Sequence, residues 1–146
     1  MLDLACGEGR HVRFFRRLGH PVVALDRDLS RLVPDKDIER IEADLEDGSP
    51  FPLAGRTFAG VVVTNYLWRP LLPAIVAAVA SGGALLYETF ALGNERFGKP
   101  SNPDYLLRPG ELLDAVRGEL RVVAYEDLIE SAPKPAARQR IAARRE

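Results

Sequence analysis

The first nine residues, MLDLACGEG, constrain this chain more than any other segment. An apolar run over residues 1–5 reads as a buried strand and breaks on Gly7 and Gly9. An amphipathic stretch follows over residues 10–18. There Val12, Phe15 and Leu18 form one face, and Arg10, Arg13, Arg16 and Arg17 lie largely elsewhere. Strand, glycine turn and helix open a βα unit, and glycines at such a turn let the backbone approach a ligand. Gly19 closes the helix.

The alternation continues. Residues 21–26 (PVVALD) predict a second strand, 28–33 at most a short helix, and 38–43 (IERIEA) a half-exposed edge strand. Residues 47–55 form a loop rich in Gly and Pro. Residues 58–64 (FAGVVVT) are the clearest central strand. Residues 71–79 predict a buried helix with Pro70 and Pro73 near its start, ended by Gly82-Gly83 ahead of a strand over 84–89. An irregular stretch over 90–107 is longer than an ordinary connection, as functional loops are. A helix over 109–116 and a strand over 120–129 follow. Residues 136–144 can pair back as a final strand, although composition alone favours a helix. The four arginines Arg138, Arg140, Arg144 and Arg145 read as a solvated basic tail.

The predicted class is α/β, a parallel sheet with helices on both faces. At 146 residues the chain fits one domain with a real core. No apolar run approaches the ~18 residues of a membrane span. The single Cys6 forms no internal disulfide, which places the chain in a reducing compartment, the cytoplasm. A net charge of −1 argues against nucleic-acid binding by bulk electrostatics. No His/Cys/Asp cluster has metal-ligand spacing, so no metal is expected.

In open sheets of this class, ligands sit beyond the carboxyl ends of the strands. Those ends carry acids at regular spacing: Asp26 comes 19 residues after Gly7, and Asp44 comes 18 after Asp26. Asp26 suits the two hydroxyls of a ribose, and Asp44 suits an exocyclic amine such as that of adenine. Two ligand chemistries compete. A dinucleotide fingerprint needs a third glycine where Val12 stands, and Glu8 would repel a pyrophosphate. A ligand without phosphate, carrying a sulfonium and an amine, instead profits from an acidic turn. Asp3, four residues before Gly7, is placed to hold that amine.

LDLACGEGRH, ALD and EADLED together resemble the three cofactor motifs of class I S-adenosylmethionine-dependent methyltransferases. FGKPSNPDYLLRPGELL, VVAYED and ARQRIAARR resemble the small bacterial tellurite-resistance-type (TehB-like) members. The resemblance implies a Rossmann-like sheet of order 3-2-1-4-5-7-6 whose last strand, over 136–144, is antiparallel. It implies S-adenosyl-L-methionine as cofactor, with S-adenosyl-L-homocysteine as product. Gly7 and Gly9 would face its methionyl part in the turn that starts at Ala5, with Asp3 beneath. Asp26 would hold the ribose, Arg27 would flank the adenine, Asp44 would meet its amine, and Leu45 would pack on the ring. Asn65 would offer a backbone carbonyl to the methionyl amine.

The acceptor is expected to be a small molecule. Tyr66, Trp68, Arg69 and Glu88 are its candidate contacts, with Lys99, Asn102 and Tyr105 of the long loop. Base-amine methylation is disfavoured, because Asn65-Tyr66-Leu67-Trp68 lacks the two prolines common there in nucleic-acid methylating members. No residue announces itself as a general base: His11, His20 and Cys6 read as structural. Members of the family carry helices ahead of the first strand, whereas Met1 here precedes Asp3 by two residues. The expectation is a naturally shortened chain or, preferred, a start assigned too far downstream, with an uncovered sheet face open to homodimerisation. A nicotinamide or flavin oxidoreductase, and a degenerate fold serving as an interaction module, are the competing expectations.

Overall fold

The computed structural model describes residues 1–146. Its elements run β1 (Leu2–Leu4), α1 (Arg10–Arg17), β2 (Val22–Asp26), β3 (Ile38–Glu42), β4 (Phe58–Thr64), α2 (Leu72–Ala77), β5 (Val79–Phe90), α3 (Glu111–Val116), β6 (Arg121–Glu130) and β7 (Ala136–Arg144). One seven-stranded sheet has the order β3-β2-β1-β4-β5-β7-β6. β1 to β5 pair in parallel, and β7 lies antiparallel between β5 and β6. No helix is long and apolar enough to cross a membrane.

Side chains alternate across each strand, so each face can be read from the sequence once the register is known. Leu2 and Leu4 point into a cluster of 23 buried residues that packs the sheet against α2 and α3. Asp3 points to the opposite face, where α1 sets Val12 against Val22, Ala24, Leu29 and Leu32 in a cluster of five. That smaller cluster covers only the β1–β2–β3 half. Beside it, Leu86 on β5 and Phe14 on α1 are each 47% exposed. They border a groove floored by Ala124 and Ala142.

Three local predictions differ from the structure. Residues 28–33 form turns rather than a helix. Arg40 donates to the carbonyls of Leu29 (2.7 Å) and Leu32 (2.6 Å), satisfying backbone that a helix would otherwise have paired. The predicted 71–79 helix is α2 plus one short 3₁₀ turn, and β5 already begins at Val79 and runs through Gly82-Gly83. A register jump accommodates the two glycines, from Phe58↔Val79 to Gly60↔Ala84. A Cβ on Gly83 would lie 2.8–3.0 Å from three backbone oxygens, so only glycine lets the strands approach there. Finally, residues 136–144 pair as the antiparallel last strand that the resemblance implies, and not as the helix that composition alone favours. Gln139, Ile141 and Ala143 are buried toward the core, and strand pairing on both edges overrides the helical preference of its Ala and Arg residues.

Candidate functional site

A cavity of about 470 Å³ opens at the carboxyl ends of the parallel strands, within the range of small-ligand sites. The turn after β1 shapes one end. Ala5, Gly7 and Gly9 all adopt left-handed backbone (φ 57, 55 and 86). Gly9 has no alternative, since a Cβ there would lie 2.3 Å from the Leu32 side chain, whereas beside Gly7 the space is open. The Gly7 N–H donates to Asp26 Oδ2 (2.9 Å), and the Asp28 N–H donates to Asp26 Oδ1 (3.1 Å). Asp26 therefore locks two turns and keeps further lone pairs for a ligand. Asp44 accepts only the Glu46 N–H, at 2.9 Å on Oδ1. Asp26, Arg27, Asp44, Leu45 and Asn65 all line the cavity, together with Ala5.

Asp3 sits beneath this turn, 1% exposed, and neither carboxylate oxygen makes a well-formed hydrogen bond. Burial pushes its pKa up to about 7. The Asp26 charge adds to that, while the Val12 amide and Arg10 pull the other way. Leaving a buried carboxyl without partners is costly, and sites that do so commonly await a ligand. Cys6 is pushed up to about 12, first by burial and then by Asp3 and Asp26. It remains a neutral thiol there.

The β4 end repeats the β1 pattern. Asn65 is left-handed (φ 53), one of only two non-glycine residues in that region, and the other is Ala5 on the neighbouring strand. Both line the cavity, and strain of this kind collects at functional sites. The Asn65 N–H donates to the Glu88 carbonyl (2.9 Å), and its Oδ1 accepts from Arg138 Nη1 (2.8 Å). The Tyr87 hydroxyl donates to the Tyr66 backbone carbonyl (2.8 Å), and the Tyr66 hydroxyl is buried near Glu46 without a well-formed hydrogen bond. Burial, then the charges of Glu46, Asp44 and Asp26, raise the Tyr66 pKa, so that hydroxyl keeps its proton.

Several predicted acceptor contacts lie elsewhere. Tyr66 and Tyr105 line the cavity, but Trp68 packs against the core. Arg69 is a clamp: it pairs with Glu111 (2.7 and 2.9 Å) and donates to the carbonyls of Asp104 (2.9 Å) and Leu106 (2.7 Å). Asn102 caps a 3₁₀ turn by accepting the Asp104 N–H (3.0 Å). Lys99 is exposed and outside the lining, and Glu88 pairs with Arg138 and Arg140. Glu8 turns outward to Arg31 (2.6 Å), so the acidity felt by a ligand comes from Asp3 and Asp26. His11 borders the apolar groove instead.

Sequence reasoning missed Phe90 and Pro100 as cavity walls. Their only signal was membership of the overlong 90–107 loop. That loop is pinned by buried Asn94, which donates to the Pro100 carbonyl (2.9 Å) and accepts the Ala137 N–H (3.2 Å).

No family model and no curated protein matches the sequence. Solved structures do match the fold. An S-adenosylmethionine-dependent methyltransferase from Mesorhizobium loti superposes with a TM-score of 0.76 at 18% identity, over 99% of this chain and 89% of that one. TehB from Haemophilus influenzae gives 0.72 at 17% identity, over 99% of this chain and 57% of that one. A TehB-like S-adenosylmethionine-dependent methyltransferase from Corynebacterium glutamicum gives 0.68 at 18%, over 99% and 79%. The fold is the Rossmann-like methyltransferase fold, with the sheet order and antiparallel last strand expected above.

Proposed function

We propose that this chain is an S-adenosylmethionine-dependent methyltransferase acting on a small-molecule acceptor, its 146 residues working as one unit. The observation that carries this is Asp3, a buried carboxyl without partners beneath a glycine turn. A pyrophosphate would be repelled there, whereas an ammonium would supply the missing charge and donors. Support also comes from structural neighbours at 16–17% identity, the glycopeptide N-methyltransferase MtfA complexed with S-adenosyl-L-methionine and with S-adenosyl-L-homocysteine. The one free thiol suits a reducing compartment, the cytoplasm.

In this reading Asp3 faces the amine, Gly7 and Gly9 let the backbone close on the methionyl chain, and Asp26 holds the ribose. Arg27 and Leu45 flank the adenine, and Asp44 accepts from its amine. Bound S-adenosylmethionine supplies a methyl carbon activated by its sulfonium, which the acceptor's lone pair takes up as the carbon–sulfur bonding pair stays on sulfur. The chain's own contribution is alignment and exclusion of water. Tyr66 stays protonated, so it does not act as a base.

Calorimetric titration with S-adenosyl-L-homocysteine tests the assignment. One micromolar site per chain, weakened in Asp3→Asn, is expected; no binding overturns it. Binding without turnover of any acceptor would instead make the chain an interaction module. We further propose that a second copy covers the apolar groove beside Leu86. Sedimentation should show a dimer that Leu86→Glu disperses, and a wild-type monomer removes that proposal.

A further inference from the structure

We infer that the acceptor end of the cavity is built for an uncharged, planar aromatic or heteroaromatic molecule and selects against carboxylates, phosphates and other oxyanions. This rests on the cofactor assignment above, which fills the end bounded by Asp26 and Asp44. The remaining lining includes Tyr66, Leu67, Thr89, Phe90, Pro100 and Tyr105. Flat rings and a proline favour a flat apolar guest by stacking and edge contacts.

Polar groups decide the charge of that guest. An anion taken from water into an apolar-walled site needs a cation or several donors. The acceptor wall contains no cation, since the only arginine lining the cavity is Arg27, at the adenine end. The two nearby arginines are already neutralised. Arg138 is bound by Asn65 (2.8 Å), Glu88 (3.3 Å) and Glu130 (3.2 Å), and its guanidinium lies 4.1 Å from the Phe90 ring centroid. Arg69 is held by Glu111 and two carbonyls. The carboxylates of Asp44 and Glu46 face the same cavity, adding repulsion for an anion. The polar groups on this wall are neutral hydroxyls, those of Thr89, Tyr105 and Tyr66, which suit a ring nitrogen or an oxygen on the guest.

The test is ligand-observed NMR and calorimetry on the chain saturated with S-adenosyl-L-homocysteine, using two charge-contrasted sets: phenol and quinoline against benzoate and phenyl phosphate. The neutral probes should bind, and their anionic counterparts should bind at least about tenfold more weakly. Phe90→Ala and Tyr105→Ala should each weaken the neutral probes by about fivefold, the loss of one aromatic contact. The affinity for S-adenosyl-L-homocysteine should move by less than about twofold, because neither ring touches the adenosine end. The Tyr105 variant guards against a folding defect in the first, since Tyr105 is 43% exposed. Equal or tighter binding of benzoate or phenyl phosphate overturns this inference alone, as does failure of every neutral probe on a cofactor-loaded chain. A chain that binds no S-adenosyl-L-homocysteine overturns this inference together with the cofactor assignment.

Discussion

The two halves of the sheet treat charge in opposite ways. In the β3-β2-β1-β4 half, the acids nearest the cavity are left incomplete: Asp3 makes no well-formed hydrogen bond, and Asp44 accepts a single turn amide. In the β5-β7-β6 half and the loops above it, the charges are consumed. Arg138 and Arg140 share Glu88 and Glu130, and Arg69 is saturated by Glu111 and two carbonyls. An unsatisfied group costs stability and waits for a ligand, whereas a satisfied one holds structure. The first half therefore keeps groups free to bind a charged ligand, whereas the charges of the second are spent on structure.

The contrast is broken most sharply at Arg69. Its side chain is 24% exposed and that of Glu111 is 14%, and burial raises the Glu111 carboxyl while the Arg69 and Arg108 donors more than offset this and hold it low. Arg69→Ala should cost about 3 kcal/mol of stability, read as a lower urea midpoint, because it strands a largely buried carboxylate. Its affinity for S-adenosyl-L-homocysteine should stay within about twofold of wild type, since the cost falls outside the cofactor end.

In the other half the effect reverses. Asp26→Ala should weaken S-adenosyl-L-homocysteine by about 1–3 kcal/mol in calorimetry, through lost hydrogen bonds to the ligand and to the Gly7 turn.

Asp3→Asn separates ligand binding from stability. The folded chain holds Asp3 at a pKa of about 7, above its ordinary 3.8, so between those values it keeps a proton that the unfolded chain has lost. Stability falls as pH rises through that window and levels off above it. The Asn variant should lose this dependence and exceed wild type in urea midpoint at pH 8, a direct readout at that pH. Its affinity for S-adenosyl-L-homocysteine should nonetheless drop by about 1–2 kcal/mol, and the wild-type affinity should rise with pH up to about 7 as the carboxylate forms. The smallest effect belongs to Glu8, whose pair with Arg31 is 65–77% exposed. Glu8→Gln should change both the urea midpoint and the ligand affinity by less than about 0.5 kcal/mol.

The sequence was legible where chemistry is local. Gly7 and Gly9 follow an apolar strand, and Asp26 and Asp44 close the next two strands, so spacing alone brings them to one edge of a parallel sheet. The extent of β4 likewise followed from FAGVVVT, whose residues 58–64 match the observed strand. The sequence misled where identity was read without partners. Trp68 and Arg69 follow a strand end, as acceptor contacts should, yet one packs on the core and the other clamps the loop.

By itself, then, the sequence determined the fold class and which acids meet at the sheet edge, because strand period and turn chemistry act over a few residues. Only the tertiary structure decided which charges are spent and what walls the rest of the cavity. Arg138 meets Asn65 across 73 residues of chain, and Arg69 meets Glu111 across 42. Such pairings depend on β7 inserting between β5 and β6, and on a loop pinned by buried Asn94. No local propensity encodes them, since the free energy that selects them comes from burying groups that are remote in sequence.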